Sequence, residues 1–391
     1  MDLPRQIQYA KDNTQVYAEL LADVDPNSVV SREALADLPI TRKSDLIEKQ
    51  RGARPFGGLA TRQAGEMKRV YASPGPIYEP EGDGKDYWRL ARALYAAGFR
   101  QGDLVHNTFA YHFTPAGFMM ESGAHAIGCG VFAAGVGQTE MQVAAIADLQ
   151  PNAYAGTPSF LKIILEKAAE LGADCGSIKR AMVSGEALPP SLRESLQAYG
   201  MTVRQCYATA DVGLIAYETD AMAGLIVDEN IVLELVTPGT GNPVAQGEVG
   251  EIVVTSFSDV YPLVRFATGD LSKVLPGDSP CGRTNMRIAG WMGRADQTTK
   301  IKGMFVHPEQ VAAVVSRHSE IIKARLVVNS DNNNDTMTLH CETQVTPDEA
   351  LSGKIAQSIR EVCKLRGEVA FVETGSLAND GKVIDDVRTY E

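Results

Sequence analysis

The side chains of this 391-residue chain that are grouped for chemistry are carboxylates, lysines and arginines, not thiols or imidazoles. The six cysteines (129, 175, 206, 281, 341 and 363) are scattered, with no CxxC pair. His106, His112 and His125 have no cysteine or acidic partner at a metal-ligating spacing. No zinc site is expected, and each histidine reads as a core or pocket-lining residue. The charged candidates stand in short glycine-containing segments: Thr268-Gly269-Asp270, Gly293-Arg294-Ala295-Asp296 and Asp380-Gly381-Lys382-Val383. A carboxylate, with its pair of oxygens, suits vicinal hydroxyls. A lysine is a compact charge suited to a phosphate that gains negative charge during reaction. Taken alone, the first segment is an ordinary turn, Arg294 a surface ion-pair partner and Lys382 a solvated lysine.

The elements around these residues give them a frame. Ile288 to Glu309 opens with the polar, glycine-bounded Gly293 to Asp296, which reads as a joint between two bodies. The alternating Thr299-Lys300-Ile301-Lys302 after it predicts a short half-buried strand, and Pro308-Glu309 with Val311, Val314 and Val315 predicts the first turn of a helix. Upstream, residues 1–50 form a helical preface in which Ser31 and Thr41 are expected to cap helices. Lys68 to Ala72 reads as a strand entering the tight loop Ser73-Pro74-Gly75-Pro76, followed by a helix over 86–98. Between 103 and 218 strands alternate with helices: strands at 104–107, 130–134, 153–156, 179–183 and 202–207, helices at 114–127, 138–149, 158–172 and 190–199. That alternation implies a mostly parallel sheet with helices on its faces. Residues 224–290 change to glycine- and proline-broken strands of antiparallel character. Residues 308–391 read as a small α+β unit.

Composition is that of an ordinary globular chain, 44% hydrophobic and 22% charged. The net charge of -12 argues against nucleic acid or an anionic membrane as main partner. The N-terminal segment has no apolar signal core and no run reaches the length of a membrane span, so a cytoplasmic location is expected.

Several segments then fall in a telling order: Leu38-Pro39-Ile40-Thr41, Gly137-Gln138-Thr139-Glu140, Ala155-Gly156-Thr157-Pro158-Ser159, Val183-Ser184-Gly185-Glu186-Ala187, Arg265 to Asp270, Gly293 to Asp296, and Asp380 to Val383. Together they resemble the phenylacetate–CoA ligase branch of the adenylate-forming enzymes (the acyl-CoA synthetase or AMP-dependent synthetase superfamily) over almost the whole chain. Each fragment alone is weak, but the ordered set is specific. The resemblance implies an α/β fold: a large N-terminal domain (1–292) of mixed and parallel sheets with flanking helices and a β-rich subdomain, and a small mobile α+β C-terminal domain (293–391) hinged near Asp296. It implies ATP-dependent activation of a small, aromatic carboxylic acid as acyl-adenylate, then transfer to coenzyme A. By position, Lys382 bridges the attacking carboxylate and the α-phosphate. Ser184, Gly185, Glu186 and Ala187 contact adenine. Tyr207, Ala208, Thr209 and Asp211 contact the AMP phosphate, with Asp211 near Mg²⁺. Asp270 holds the ribose hydroxyls, and Arg294 lies close to the nucleotide. The acyl pocket falls among Tyr111, Phe113, Phe118, Gly135, Gly156, Thr157 and Pro158. A homodimer is implied by the resemblance only.

Two departures stand out. The family's phosphate loop has the form Ser-Ser-Gly-Thr-Thr-Gly-Lys-Pro, and the aligned run is Ser73-Pro74-Gly75-Pro76-Ile77-Tyr78-Glu79-Pro80. Two prolines remove N–H donors, and Glu79 puts a carboxylate at the lysine position, where it is expected to repel the β- and γ-phosphates. The Cys-x-Cys-Gly element of zinc-bearing members is Ser279-Pro280-Cys281-Gly282, with Thr219 and Ile226 at the earlier ligand positions, and one thiol makes no structural zinc site. Two alternatives to a coenzyme A ligase therefore stay open: a non-ligating homologue that binds acyl-adenylate or acyl-CoA, and a ligase whose acceptor is an amine or a carrier-protein thiol.

Overall fold

The computed structural model describes residues 2–74, 76–292, 294–295, 299–306, 308–331, 334–377 and 383–388, except the side chains of Phe305, Pro308, Glu309 and Asp331. The chain divides into two compact units, Met1–Met292 and Gly293–Glu391.

The first unit opens with the helices Leu3–Asn13, Gln15–Leu20, Arg32–Ala36 and Leu46–Gly52. Ser31 caps the third as expected, its hydroxyl accepting the Ala34 N–H at 3.3 Å. Thr41 caps nothing. It lies in the strand Thr41–Arg42, which runs parallel to Phe266–Leu275. Its buried hydroxyl donates to the Val264 carbonyl at 3.3 Å, and Lys43–Asp45 form a 3₁₀ turn that delays the helix to Leu46.

Five parallel strands follow in the spatial order Gly130–Ala133, Leu104–Asn107, Ala153–Gly156, Arg180–Val183 and Thr202–Thr209. The helices Ala116–Ala126, Thr139–Leu149, Pro158–Leu171 and Pro190–Gln197 alternate with them in sequence. Ala153–Gly156 is buried at every residue, as a central parallel strand covered on both faces must be. Pro158–Leu171 has Thr157 as cap, Pro158 in its first turn and Gly172 closing it at φ 64°. Its Leu161, Ile164, Leu165 and Ala168 recur at helical spacing and are buried with Tyr154, Ala181 and Val183 of the sheet. Each such leucine or isoleucine contributes ~1.5–3 kcal/mol by burial.

The sheet continues in antiparallel fashion through Gly213–Tyr217, Leu225–Val227, Arg287–Ile288, Phe266–Leu275, Val249–Ser256 and Ile231–Val236. The α/β class with a β-rich subdomain is thus as expected. Three local readings change. The segment after Ser73 is not merely a loop, because Ile77–Glu81 returns antiparallel to Arg69–Ser73 with Tyr71 opposite Glu79. The helix expected over 86–98 spans only Leu90–Ala96, since Arg89 adopts a left-handed φ of 65°. Among the broken strands expected over 224–290, Phe266–Leu275 is long and carries Asp270 within it rather than in a turn.

The second unit pairs Thr299–Ile301 with Met304–Val306 and continues into the helix Pro308–Val315. A four-stranded sheet follows in the order Glu368–Phe371, Asn334–Thr343, Ile321–Asp331, Ile384–Asp386, packed with the helix Glu349–Cys363. Asp348 caps that helix, accepting the Leu351 N–H at 2.7 Å.

Candidate active site

The sequence candidates of the first unit gather beyond the carboxyl ends of the parallel strands, where open α/β sheets bind ligands. Leu104–Asn107 delivers Thr108 and Tyr111, Gly130–Ala133 delivers Gly135, Ala153–Gly156 delivers Thr157 and Pro158, and Arg180–Val183 delivers Ser184 to Ala187.

The floor is tightly packed. The Thr108 N–H donates to the Ala155 carbonyl at 2.8 Å, and the Thr108 and Tyr154 hydroxyls meet at 2.7 Å. A methyl group at Gly156 would lie 2.0 Å from the Thr108 oxygen and 2.2 Å from the Tyr154 oxygen. Only glycine fits there. The Ser184 N–H donates to the Gly156 carbonyl at 3.2 Å, and the Ser184 hydroxyl to the Cys206 carbonyl at 2.8 Å. Ser159 donates to Glu186. These bonds join the 156–159 and 184–187 segments side by side.

On the predicted acyl side, Asn107 donates to the Tyr111 hydroxyl at 2.7 Å, and the Tyr111 and Phe118 rings meet edge-on at 5.1 Å. The Arg69 guanidinium covers Phe118 at 4.2 Å. Gln142 donates to the carbonyls of Gly135 and Gly137, so its oxygen accepts from His106, which therefore carries its proton on Nε2. Burial lowers the His106 pKa and keeps the ring neutral. His106 is a core residue and His125 lines a cavity of about 430 Å³ with Lys68, Arg69 and Lys85. His112 is exposed and does neither. Phe113 is 77% exposed at φ 61°, while its carbonyl accepts the Ala72 N–H at 2.8 Å. Its ring lines an open cavity of about 810 Å³ with Ser73, Pro74, Pro76 and Tyr78.

Tyr207 and Asp270 come together from strands that three others separate in the sheet order. The Tyr207 hydroxyl donates to Asp270 Oδ2 at 2.7 Å and Trp291 Nε1–H to Oδ1 at 3.0 Å. Thr209 accepts the Val212 N–H at 3.2 Å and shapes the turn that carries Asp211, next to the half-buried Ala208.

Glu79 does not face the open cavity. Its side chain is fully buried and receives hydrogen bonds from both the N–H and the hydroxyl of Ser73. Asp211 is ion-paired with Lys43 through Oδ2, while Asp211 Oδ1 is buried without a hydrogen-bond partner among the described residues. The Tyr261 hydroxyl, also buried, has none either. Burial and then the Asp211 charge push the Glu79 carboxyl up to about 8, against the pull of Lys43 and Ser73. Lys43 lies two residues past Thr41 in the Leu38–Thr41 segment, a signal that could have found it. Nothing in sequence singles out Tyr261 or Trp291. Arg294 is half-buried in the second unit, and Gly75, Asp296 and Lys382 lie outside the described residues.

At the would-be zinc element, Cys281 contacts the Ser279 hydroxyl at 3.0 Å and Arg283 at 3.4 Å. Among the described residues no three histidine, cysteine or acidic side chains group as a metal site.

The family model described as "AMP-binding enzyme" matches residues 89–258. The phenylacetate-coenzyme A ligase of Thermus thermophilus is 30% identical, covering 94% of this chain and 87% of that one. The enzyme of the same name from Pseudomonas putida is 30% identical over 92% and 84%. Among solved structures, 2-hydroxyisobutyryl-CoA ligase, crystallised with 2-HIB-AMP and CoA, superposes with a TM-score of 0.80 at 24% identity, covering 99% of this chain and 88% of that one. The chain belongs to the phenylacetate-coenzyme A ligase family of AMP-binding enzymes.

Proposed function

We propose that this protein uses ATP to activate a small carboxylic acid as its acyl-adenylate, with loss of pyrophosphate, and passes the acyl group to coenzyme A. Family membership supports the two half-reactions. The observation that carries the site assignment is the convergence of Ser184, Tyr207, Asp211 and Asp270 on one edge of the sheet. In this reading residues 184–187 receive adenine and Asp270, oriented by Tyr207, receives the ribose hydroxyls. The edge-on Tyr111–Phe118 pair favours an aromatic acid. Asp211 offers a hard, buried oxygen without a partner among the described residues, which fits Mg²⁺. Bound there, the ion would neutralise phosphate charge. Lys382 would bridge carboxylate and α-phosphate, and the second unit, with Arg294, would turn about Asp296 between the half-reactions.

Glu79 favours a second reading, a binder of acyl-adenylate or acyl-CoA that does not ligate. Pyrophosphate release from Mg-ATP, against a panel of aryl and short acyl acids, separates the two. Release that needs one acid and is lost in Lys382→Ala supports the enzyme; no release, with AMP still binding in calorimetry, supports the binder. Replacing coenzyme A by an amine or a carrier protein identifies the acceptor.

A further inference from the structure

We infer that Glu79 and Asp211 together hold one divalent cation, with the Tyr261 hydroxyl beside it, and that this ion supplies the positive charge of the missing loop lysine. The inference rests on the adenylating reading above and adds Glu79 to its metal site. Four observations carry it. First, Glu79 is directed inward from the hairpin Arg69–Ser73/Ile77–Glu81 and is fully buried, so it is not a surface charge left over from a lost function. Second, Ser73 anchors it through two hydrogen bonds, which fix the position of the carboxylate. Third, Asp211 Oδ1 and the Tyr261 hydroxyl are both buried with no hydrogen-bond partner among the described residues. An unmatched acceptor at that depth is costly, and a cation is the group that would satisfy it. Fourth, Glu79 lies within electrostatic reach of both Asp211 and Lys43, so a further positive charge would relieve the repulsion between the two carboxylates.

The donor set is all oxygen, as a hard divalent ion requires. Magnesium characteristically takes one or two carboxylates and completes its octahedron with substrate phosphates and water. A lysine neutralises phosphates as a fixed point charge. A metal held by two carboxylates performs the same neutralisation but must be loaded first, so nucleotide binding becomes strictly metal-dependent. A glutamate at the lysine position then changes how the charge arrives.

The test uses the full-length chain and Mn²⁺ as a spectroscopic stand-in, with free ion counted by electron paramagnetic resonance in the absence of nucleotide. Glu79→Gln keeps the shape and removes the charge; Glu79→Asp keeps the charge and retracts it, and serves if the first variant melts early. Each, like Asp211→Asn, is expected to weaken Mn²⁺ binding by about 10-fold or more. Glu79→Lys is expected to bind ATP in EDTA, where the wild-type chain does not. Wild-type Mn²⁺ affinity in both Glu79→Gln and Glu79→Asp, with loss only in Asp211→Asn, overturns the inference. Pyrophosphate release is measured in parallel on the wild-type chain. If it occurs while Glu79 is dispensable for Mn²⁺, the metal inference falls and the function stands. If it fails with every acid while Mn²⁺ needs both carboxylates, the function falls and the metal site stands.

Discussion

Replacing Tyr207 by phenylalanine removes the 2.7 Å donor that orients Asp270, along with the 3.3 Å contact to the Thr268 hydroxyl. Asp270 then loses the donor that positions it, so AMP should bind about 10-fold more weakly by calorimetry, and loss of one charge-assisted bond, worth ~1.5–3 kcal/mol, should also lower the melting temperature. Cys281 gives a second prediction at this scale. Burial alone would raise its thiol pKa, but hydrogen bonds from Ser279, Arg283 and Thr219 outweigh that and lower it to about 6. Burial holds Cys129, Cys206 and Cys341 up near 11 or 12. At pH 7 Cys281 is thus mostly thiolate and the others are thiols. Iodoacetamide at pH 7 should alkylate Cys281 first, and the rate should fall only when pH drops through about 6. Arg283→Ala should shift that fall to higher pH. Mass spectrometry of the labelled peptide checks both.

Elements set these geometries, and their legibility in sequence is uneven. The parallel strands and their helices were readable because period-3.6 apolar faces alternate with short apolar runs, as at Leu161, Ile164, Leu165 and Ala168. The hairpin at residues 69–81 was hidden by Pro74 and Pro76, which read as punctuation, although Ile77 and Glu79 point inward and Tyr78 outward in strand fashion. Consequently Glu79 was expected as a repelling charge in a loop, whereas its buried side chain belongs to a strand. Asp270 looked like a turn residue for a similar reason: Thr-Gly-Asp has turn composition, but pairing of Phe266–Leu275 with its neighbours overrides it. Two substitutions probe the elements. Gly156→Ala must displace Thr108 or Tyr154 and should destabilise the first unit by ~1–3 kcal/mol in urea unfolding. Arg265 is buried, pairs with Glu234 at 3.1 Å and donates to the Gly241 carbonyl at 2.9 Å. Arg265→Met leaves Glu234 buried and unpaired and should cost ~3–5 kcal/mol in the same assay.

Across the whole molecule, the apolar clusters of the described residues do not mix. Four lie within residues 7–288 and the fifth within residues 301–384. Each described unit thus has its own apolar core, from which separate folding is expected. Residues 1–292 expressed alone should keep the far-ultraviolet dichroism of a folded α/β protein and melt cooperatively; a chain that stays unfolded would refute two independent cores. Trp291 lies next to the last residue of the first unit, with its indole N–H on Asp270. The chain has one other tryptophan, Trp88, sealed in the core. The proposed ribose-binding carboxylate therefore comes with its own optical probe. In a Trp88→Phe background the remaining emission originates at Asp270, and its colour and lifetime would report occupancy of the nucleotide site in real time without any attached dye.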